Sequence, residues 1–391
     1  MILKILFWIF LGIIVYTYLV YTLLLLAISS VKKMIQKKRP VIPEFEPEVT
    51  LFIPAYNEKA YIEKKIQNSF QLSYPENKLK HLWITDGSDD GSPELLKKYA
   101  NIKVLHQVKR NGKIEAMNRG MKEVTSPIVI FSDANTDLSK NAVREIVTIF
   151  SDEKVGCVAG EKKIYTDSKD KAVVAGEGFY WKYESLIKRL ESEIGSTLGA
   201  AGELFAIRSS LYEAIEKDTI LDDFTISLKI ARKGYKIKYS SESSASEKAS
   251  FSIYEELKRK IRIASGGFQT LFRMPGLLNI FRYGFLSFQY LSHKVLRWTL
   301  VPFSFIALLL TNVGIVLNNK GTPGIYALFL LIQLLFYLLV LAGYLIRNMK
   351  TNLKQLFLPY YIFIMNYSVF IGMIRYFRGK HTSLWEKAKR Q

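Results

Sequence analysis

The chain has 391 residues, of which 49% are hydrophobic and 23% charged. That length exceeds one typical domain, and the mixture suits a soluble part joined to membrane segments better than a uniformly apolar transporter. Net charge is +20, and the basic residues cluster beside apolar segments instead of forming an aromatic-interleaved groove. This argues against nucleic acid and for anionic lipid or phosphate-bearing substrates. The only cysteine, Cys157, excludes an internal disulfide and a thiolate metal site, and it reads as a small buried residue. Four scattered histidines show no metal-ligand spacing.

Residues 5–28 carry no charge and are long enough to span a bilayer. They lack the small-residue cleavage pattern of a secretory signal, so the segment reads as an anchor. Lys32, Lys33, Lys37, Lys38 and Arg39 follow. The positive-inside rule puts them in the cytoplasm and the N-terminus outside.

From about residue 47 to 250 apolar blocks give way to short alternating elements. Residues 49–55, 79–85, 102–108 and 127–132 read as strands, and 59–70, 113–124 and 139–150 as helices. Such alternation implies a largely parallel sheet with helices on both faces, and ligands beyond the strands' carboxyl ends. Each strand is followed there by a polar cluster. These are Pro54-Ala55-Tyr56-Asn57-Glu58, Asp86-Gly87-Ser88-Asp89-Asp90-Gly91-Ser92, Gly112-Lys113 and Ser132-Asp133-Ala134-Asn135. Singly each reads as a turn or helix start; four at consecutive strand ends point to a site. Asp133 and Asn135 alternate at a strand end and so can face one ion.

Gly202-Glu203-Leu204 precedes a strand-like stretch, and Leu221-Asp222-Asp223-Phe224 opens an amphipathic helix. Adjacent carboxylates raise one another's pKa, as a general base requires, although two acids at a helix start also read as capping. Leu257, Ile261, Ala264, Phe268 and Leu271 form an apolar stripe with Lys258, Arg262 and Gln269 opposite, the pattern of a helix at a membrane surface. Residues 298–317 and 324–346 form a spanning hairpin about the turn 318–323, and Arg347, Lys350 and Lys354 return the chain to the cytoplasm. For 356–374, weakened by Pro359 and Asn366, the basic tail leaves two readings open: an interfacial or re-entrant segment, or a span that breaks the charge rule.

In order, these clusters make the chain resemble family 2 glycosyltransferases of the GT-A fold, in the membrane-bound branch with hyaluronan, chitin and poly-N-acetylglucosamine synthases. The resemblance runs from the anchor to the tail around Trp385, and it is specific for the superfamily, not for the sugar. It implies an α/β fold: a Rossmann-like GT-A cytoplasmic domain with a mostly parallel sheet, an N-terminal transmembrane anchor and C-terminal transmembrane or interfacial helices. The divisions expected are 1–45, anchor and basic linker; 46–250, catalytic domain; 251–294, interface helices; and 295–391, transmembrane helices and tail. The implied activity is inverting transfer from a UDP-sugar to a glycan or lipid-linked acceptor, for cell-surface polysaccharide or glycolipid. The enzyme would sit in the plasma membrane with its catalytic domain in the cytoplasm. Its partners would be membrane lipids, and a homo-oligomer is allowed.

By the same resemblance Ala55, Tyr56, Glu58, Asp86 and Lys113 contact the nucleotide, with Glu58 on the ribose and Asp86 on the uracil edge. Glu58 reads equally as a helix N-terminal acid. Asp133 and Asn135 take the place of the Asp-x-Asp motif that holds Mg²⁺ or Mn²⁺; Asn135 removes one charge and leaves Asp133 the main ligand. Both residues also read as a helix cap. Asp223 matches the base and Asp222 its support. Gly202 and Glu203 match the acceptor-facing loop, and Glu203 otherwise reads as a surface acid. Arg259 and Arg262 fall in the place of a Gln-x-x-Arg-Trp motif, where Arg262 would pair with the diphosphate. Arg259 replaces the Gln and Ile263 the Trp, which removes an aromatic platform and counts against processive polymerisation. A processive synthase with a translocation channel and a catalytically inactive membrane scaffold are the competing readings.

Overall fold

The computed structural model describes residues 1–35, 45–165, 171–250, 252–318, 324–346 and 357–379, with only the backbone over 171–177. Lys37, Lys38, Arg39, most of the turn 318–323, Arg347, Lys350, Lys354 and the basic tail from Lys380 lie outside these residues.

Among the described residues eight strands form one sheet: β1 (Val49–Ala55), β2 (Leu79–Asp86), β3 (Ile102–Gln107), β4 (Ile128–Ser132), β5 (Asp137–Leu138), β6 (Val155–Tyr165), β7 (Leu204–Arg208) and β8 (Lys236–Lys248). Their order is β3-β2-β1-β4-β7-β6-β8-β5. The four strands expected from the sequence are β1 to β4, and all three pairings among them are parallel. Every residue of β1 and β4 is buried, because helices cover both faces of a parallel sheet. Beyond β4 the sheet is mixed: β7 runs antiparallel to β4 and β6, β5 is antiparallel to β8, and β6 is parallel to β8. The parallel expectation therefore holds for one half. β8 carries five serines and five charged residues, so its strand character comes from pairing with β6 and not from an apolar run.

Strand alternation splits the core in two. Leu51 and Ile53 of β1 face a layer with Trp83 and Ile146, while Phe52 faces one with Phe131 and Phe205. The Phe131 and Phe205 rings stack at 4.7 Å. Burying each such side chain contributes about 1.5–3 kcal/mol. Cys157, on β6, is buried and free, as its sequence context led us to expect. The helices Lys59–Phe70, Lys113–Met121 and Ala142–Ile149 match expectation to within three residues at each end. A helix at Lys171–Ile194 has no counterpart in the sequence reading, though Tyr183, Ile187, Leu190 and Ile194 mark its buried stripe.

Among the described residues, four helices are long and apolar enough to cross a membrane: Ile2–Ile35, Leu300–Asn318, Ile325–Ile346 and Phe357–Phe377. At ~1.5 Å per residue the first extends ~50 Å, well beyond a bilayer's ~30 Å apolar core. Its later part packs on the Lys171–Ile194 helix, where the Tyr21 hydroxyl donates to Glu191 at 2.7 Å and Lys33 pairs with Glu193 at 2.9 Å. The segment left open in the sequence is one continuous helix. Pro359 falls in its first turn, where the missing N–H costs nothing, and Asn366 donates to the Ile362 carbonyl at 2.9 Å.

The Ile253–Arg273 helix corrects one expectation. It does not lie with one polar face in water: Gln269 is 2% exposed, accepting from the Ile220 N–H at 2.9 Å and donating to the Asp218 carbonyl at 2.8 Å. Its other side packs on the Phe357–Phe377 helix, joined by Ser265 donating to the Gly372 carbonyl at 2.9 Å. The apolar stripe was legible, but of the polar residues opposite Arg262 and Gln269 bond to the loop at 218–220, while Lys258 stays exposed beside Glu255.

Candidate active site

The chain runs outward from β1 to β3 on one side and restarts at β4 on the other, which opens a crevice at the carboxyl ends of β1 and β4. The loops there are laced by side chains. Asn57, held at φ 54, donates to Asp89 at 2.8 Å and accepts from the Asp89 N–H at 3.1 Å. Asp90 caps the following helix from across the crevice, accepting the Lys59 N–H at 3.0 Å. Asp89 and Asp90 thus join the loops after β1 and β2.

Asp86, at the end of β2, accepts the Asn111 and Gly112 N–H groups at 2.8 and 2.7 Å through one oxygen. Its other oxygen is buried with no hydrogen-bond partner among the described residues. An acceptor left in that state is costly unless a ligand donor reaches it. Ala55, Tyr56, Asp86, Gly112 and Lys113 line one small cleft, together with Arg110, whose guanidinium stacks on the Tyr56 ring at 3.8 Å. Arg110 was not singled out in the sequence, although it precedes the Gly112-Lys113 pair. Gly87 lies at φ +69 and its Cβ would fall 2.5 Å from Arg110, so only glycine allows this approach. Glu58 is buried at the start of the Lys59–Phe70 helix and does not line the cleft.

Behind the cleft Lys113 opens its helix and reaches two carboxylates, Asp133 at 3.3 Å and Asp222 at 3.1 Å. Burial would lower this lysine, but Asp133, Asp222 and Asp223 outweigh it and hold the ammonium well above the usual lysine range. Asp133 is itself raised, chiefly by burial, against the pull of Lys113. The buried Lys65 secures the loop that carries Asp133, donating to Ser132 and to the Thr136 carbonyl at 2.8 Å each. Asn135 does not line the cavity that Asp133 lines.

Asp223 accepts the Phe224 N–H at 2.7 Å. Burial, then the adjacent Asp222, push it up to about 7 against the opposing Lys113 and that N–H. Gly202 stands over it: a Cβ there would meet Asp223 Oδ2 at 3.4 Å and Lys113 Nζ at 3.7 Å. Glu203, next along, is buried, pairing with Lys162 and, at 3.1 Å, with Arg259. Those cations overcome burial and hold it well below the usual carboxylate range. Arg259 thus ties the Ile253–Arg273 helix to this loop. Arg262 donates to the Ile220 carbonyl at 3.3 Å and lines the same cavity.

That cavity, of about 1070 Å³, contains Lys113, Asp133, Gly202, Asp222, Asp223 and Arg262. Sequence reasoning missed three groups on its wall, Trp181, Lys188 and Arg297, because the helix carrying the first two was not anticipated. Among the described residues no three His, Cys, Asp or Glu side chains are grouped to hold a metal unaided. Asp133, a hard oxygen donor on the cavity wall, fits a divalent ion by its chemistry.

A crevice of this kind, beneath a sheet that turns from parallel to mixed, defines a GT-A domain joined to helices able to cross a membrane. Residues 50–215 match the family model described as Glycosyl transferase family 2. The chain is 28% identical over 247 residues to the poly-beta-1,6-N-acetyl-D-glucosamine synthase of Staphylococcus aureus (strain COL), covering 60% of this chain and 58% of that protein. It is 26% identical over 235 residues to the synthase of the same name from Staphylococcus epidermidis, with 58% and 56% covered. The chain therefore spans a little over half the length of these relatives. Among solved structures, a mannosyltransferase from Pyrobaculum calidifontis, in complex with GDP-Man and Mn²⁺, superposes with a TM-score of 0.66 at 20% identity, covering 97% of this chain and 99% of that one.

Proposed function

We propose that the chain is an inverting membrane glycosyltransferase that moves a sugar from a UDP-sugar to a glycan or lipid-linked acceptor in cell-surface polysaccharide or glycolipid synthesis. Residues 46–250 form its catalytic domain, with the anchor at 1–45, interface helices at 251–294 and membrane helices at 295–391. The domain faces the cytoplasm from the plasma membrane. One observation carries the reading: Asp223, raised to about 7, lies in one cavity with Lys113, Asp133 and Arg262.

The nucleotide enters the cleft of Ala55, Tyr56 and Asp86, where the free Asp86 oxygen accepts from the base. Asp133 would hold Mg²⁺ or Mn²⁺, which would supply positive charge for the departing diphosphate. Lys113 and Arg262 add fixed positive charge beside that diphosphate. Asp223 takes the proton of the acceptor hydroxyl as its oxygen bonds to the anomeric carbon and the bond to the diphosphate breaks. Asp222, held by Lys113, keeps its neighbour's carboxyl basic. Gly202 leaves room over Asp223 for the acceptor. Glu203, paired twice, positions Arg259 and the interface helix.

The test is calorimetric titration of the solubilised protein with UDP and with GDP, each with and without Mn²⁺. Metal-dependent UDP binding supports the reading. Binding of neither nucleotide to folded protein would favour an inactive scaffold, and tighter binding of GDP would replace UDP as the donor class.

A further inference from the structure

The large cavity is not confined to the strand ends. One end holds Lys113, Asp133 and Asp223; the other is walled by Phe305, Phe336 and Met365, one from each of the three C-terminal apolar helices. A soluble sugar has no use for such a wall, whereas an amphiphile needs both ends.

Lys188, on the Lys171–Ile194 helix, also lines the cavity. It is 7% exposed and has no hydrogen-bond or ion-pair partner among the described residues. It lies within electrostatic reach of Lys294 and of Cys157, and Cys157 in turn within reach of Asp223. The neighbouring cations are already engaged: Lys294 and Arg297 pair with Glu184 at 3.2 and 2.5 Å. Nine basic residues line the cavity against six acidic ones. Lys188 therefore presents to the cavity a cation with no direct counter-charge among the described residues, and an anion brought by a ligand would form a charge-assisted hydrogen bond with it.

We propose that the acceptor is an amphiphile whose phosphate or diphosphate is bound by Lys188, with its apolar chain among the Leu300–Asn318, Ile325–Ile346 and Phe357–Phe377 helices and its sugar hydroxyl at Asp223. This rests on the glycosyltransferase reading. The hydroxyl proton passes to Asp223, the oxygen bonds to the anomeric carbon, and the nucleoside diphosphate leaves with the electron pair of the broken bond.

The test uses the full chain in phosphatidylcholine nanodiscs and follows tryptophan fluorescence, since Trp181 and Trp298 line the cavity. The probes are farnesyl phosphate, farnesol, inorganic phosphate, and UDP with Mn²⁺. Farnesyl phosphate is expected to bind at least tenfold tighter than farnesol or phosphate. Lys188→Gln should remove about tenfold of that affinity, the scale of one charge-assisted hydrogen bond, and Lys188→Arg should restore it. Met365→Trp, which fills the apolar end, should weaken farnesyl phosphate and farnesol but not inorganic phosphate, and UDP affinity should hold in all three variants. Equal affinity for inorganic and farnesyl phosphate would reduce the site to one for free anions and overturn the proposal. So would Lys188→Gln weakening UDP but not farnesyl phosphate, since the lysine would then belong to the donor diphosphate. Loss of UDP binding in the wild-type protein, with farnesyl phosphate still bound, would sink the donor reading and the acceptor role but leave lipid-phosphate binding standing.

Discussion

Lys113 Nζ lies 3.1 Å from Asp222 and 3.3 Å from Asp133, so a single ammonium ties the end of β4 to the start of the Asp222–Arg232 helix. All three side chains are less than one-fifth exposed. Removing the cation therefore leaves two carboxylates facing each other with little solvent between them.

For Lys113→Met we expect loss of turnover and a destabilisation of about 3–5 kcal/mol, typical of breaking a buried ion pair from one side. Adding Asp222→Asn should recover much of the melting temperature without recovering turnover. Thermal melts of both variants check this, and equal melting temperatures for Lys113→Met and wild type would refute the bridge.

Asp223→Asn should lower kcat by about 10²- to 10⁴-fold while leaving UDP affinity intact, as for loss of a general base. Because the carboxyl is raised to about 7, wild-type kcat should climb as pH rises through that value. The stability sign runs the other way. A folded pKa above the ordinary 3.8 means that the group's stabilisation is present below about 3.8 and lost as pH rises towards 7. Asp223→Asn should therefore melt higher than wild type at pH 8 but not at pH 3.5. A pH-independent kcat between 6 and 8 would argue for another base.

Asp133→Asn should uncouple UDP binding from Mn²⁺. Calorimetry would then give the same weak UDP affinity with the ion and with a chelator, whereas wild type loses affinity only in the chelator. If Asp133→Asn keeps the full Mn²⁺ dependence, the ligand lies elsewhere.

Asp86→Ala should weaken UDP by tenfold or more, since it removes both the free acceptor and the bonds that hold Asn111 and Gly112 in place. Gly87→Ala tests the same cleft through the backbone. It forces a side chain into a left-handed conformation against Arg110, at a cost of about 1–3 kcal/mol.

Much of this site was written into local sequence. Short apolar runs with polar clusters at their ends announced β1 to β4, and the ends of parallel strands meet at one edge whatever the loops do. That is why Tyr56, Asp86, Lys113 and Asp133 could be grouped without coordinates. Asp89 and Asp90 belonged to the same pattern, but their bonds to Asn57 and Lys59 bridge about thirty residues and have no local signature.

By itself the sequence determined the apolar spans, the parallel half of the sheet and the acids at its edge, because each depends on periodicity or on what immediately follows a strand. Only the tertiary structure decided the rest. The polar β8 is a strand because β6 pairs with it, and Gln269 is buried because the loop at Asp218–Ile220 satisfies its amide. Glu203 is an internal ion-pair partner and not a surface acid, since Lys162 and Arg259 arrive from distant elements. Lys188 lines the large cavity through helix packing alone. Burial and long-range pairing are properties of the assembled chain, and no window of neighbouring residues contains them.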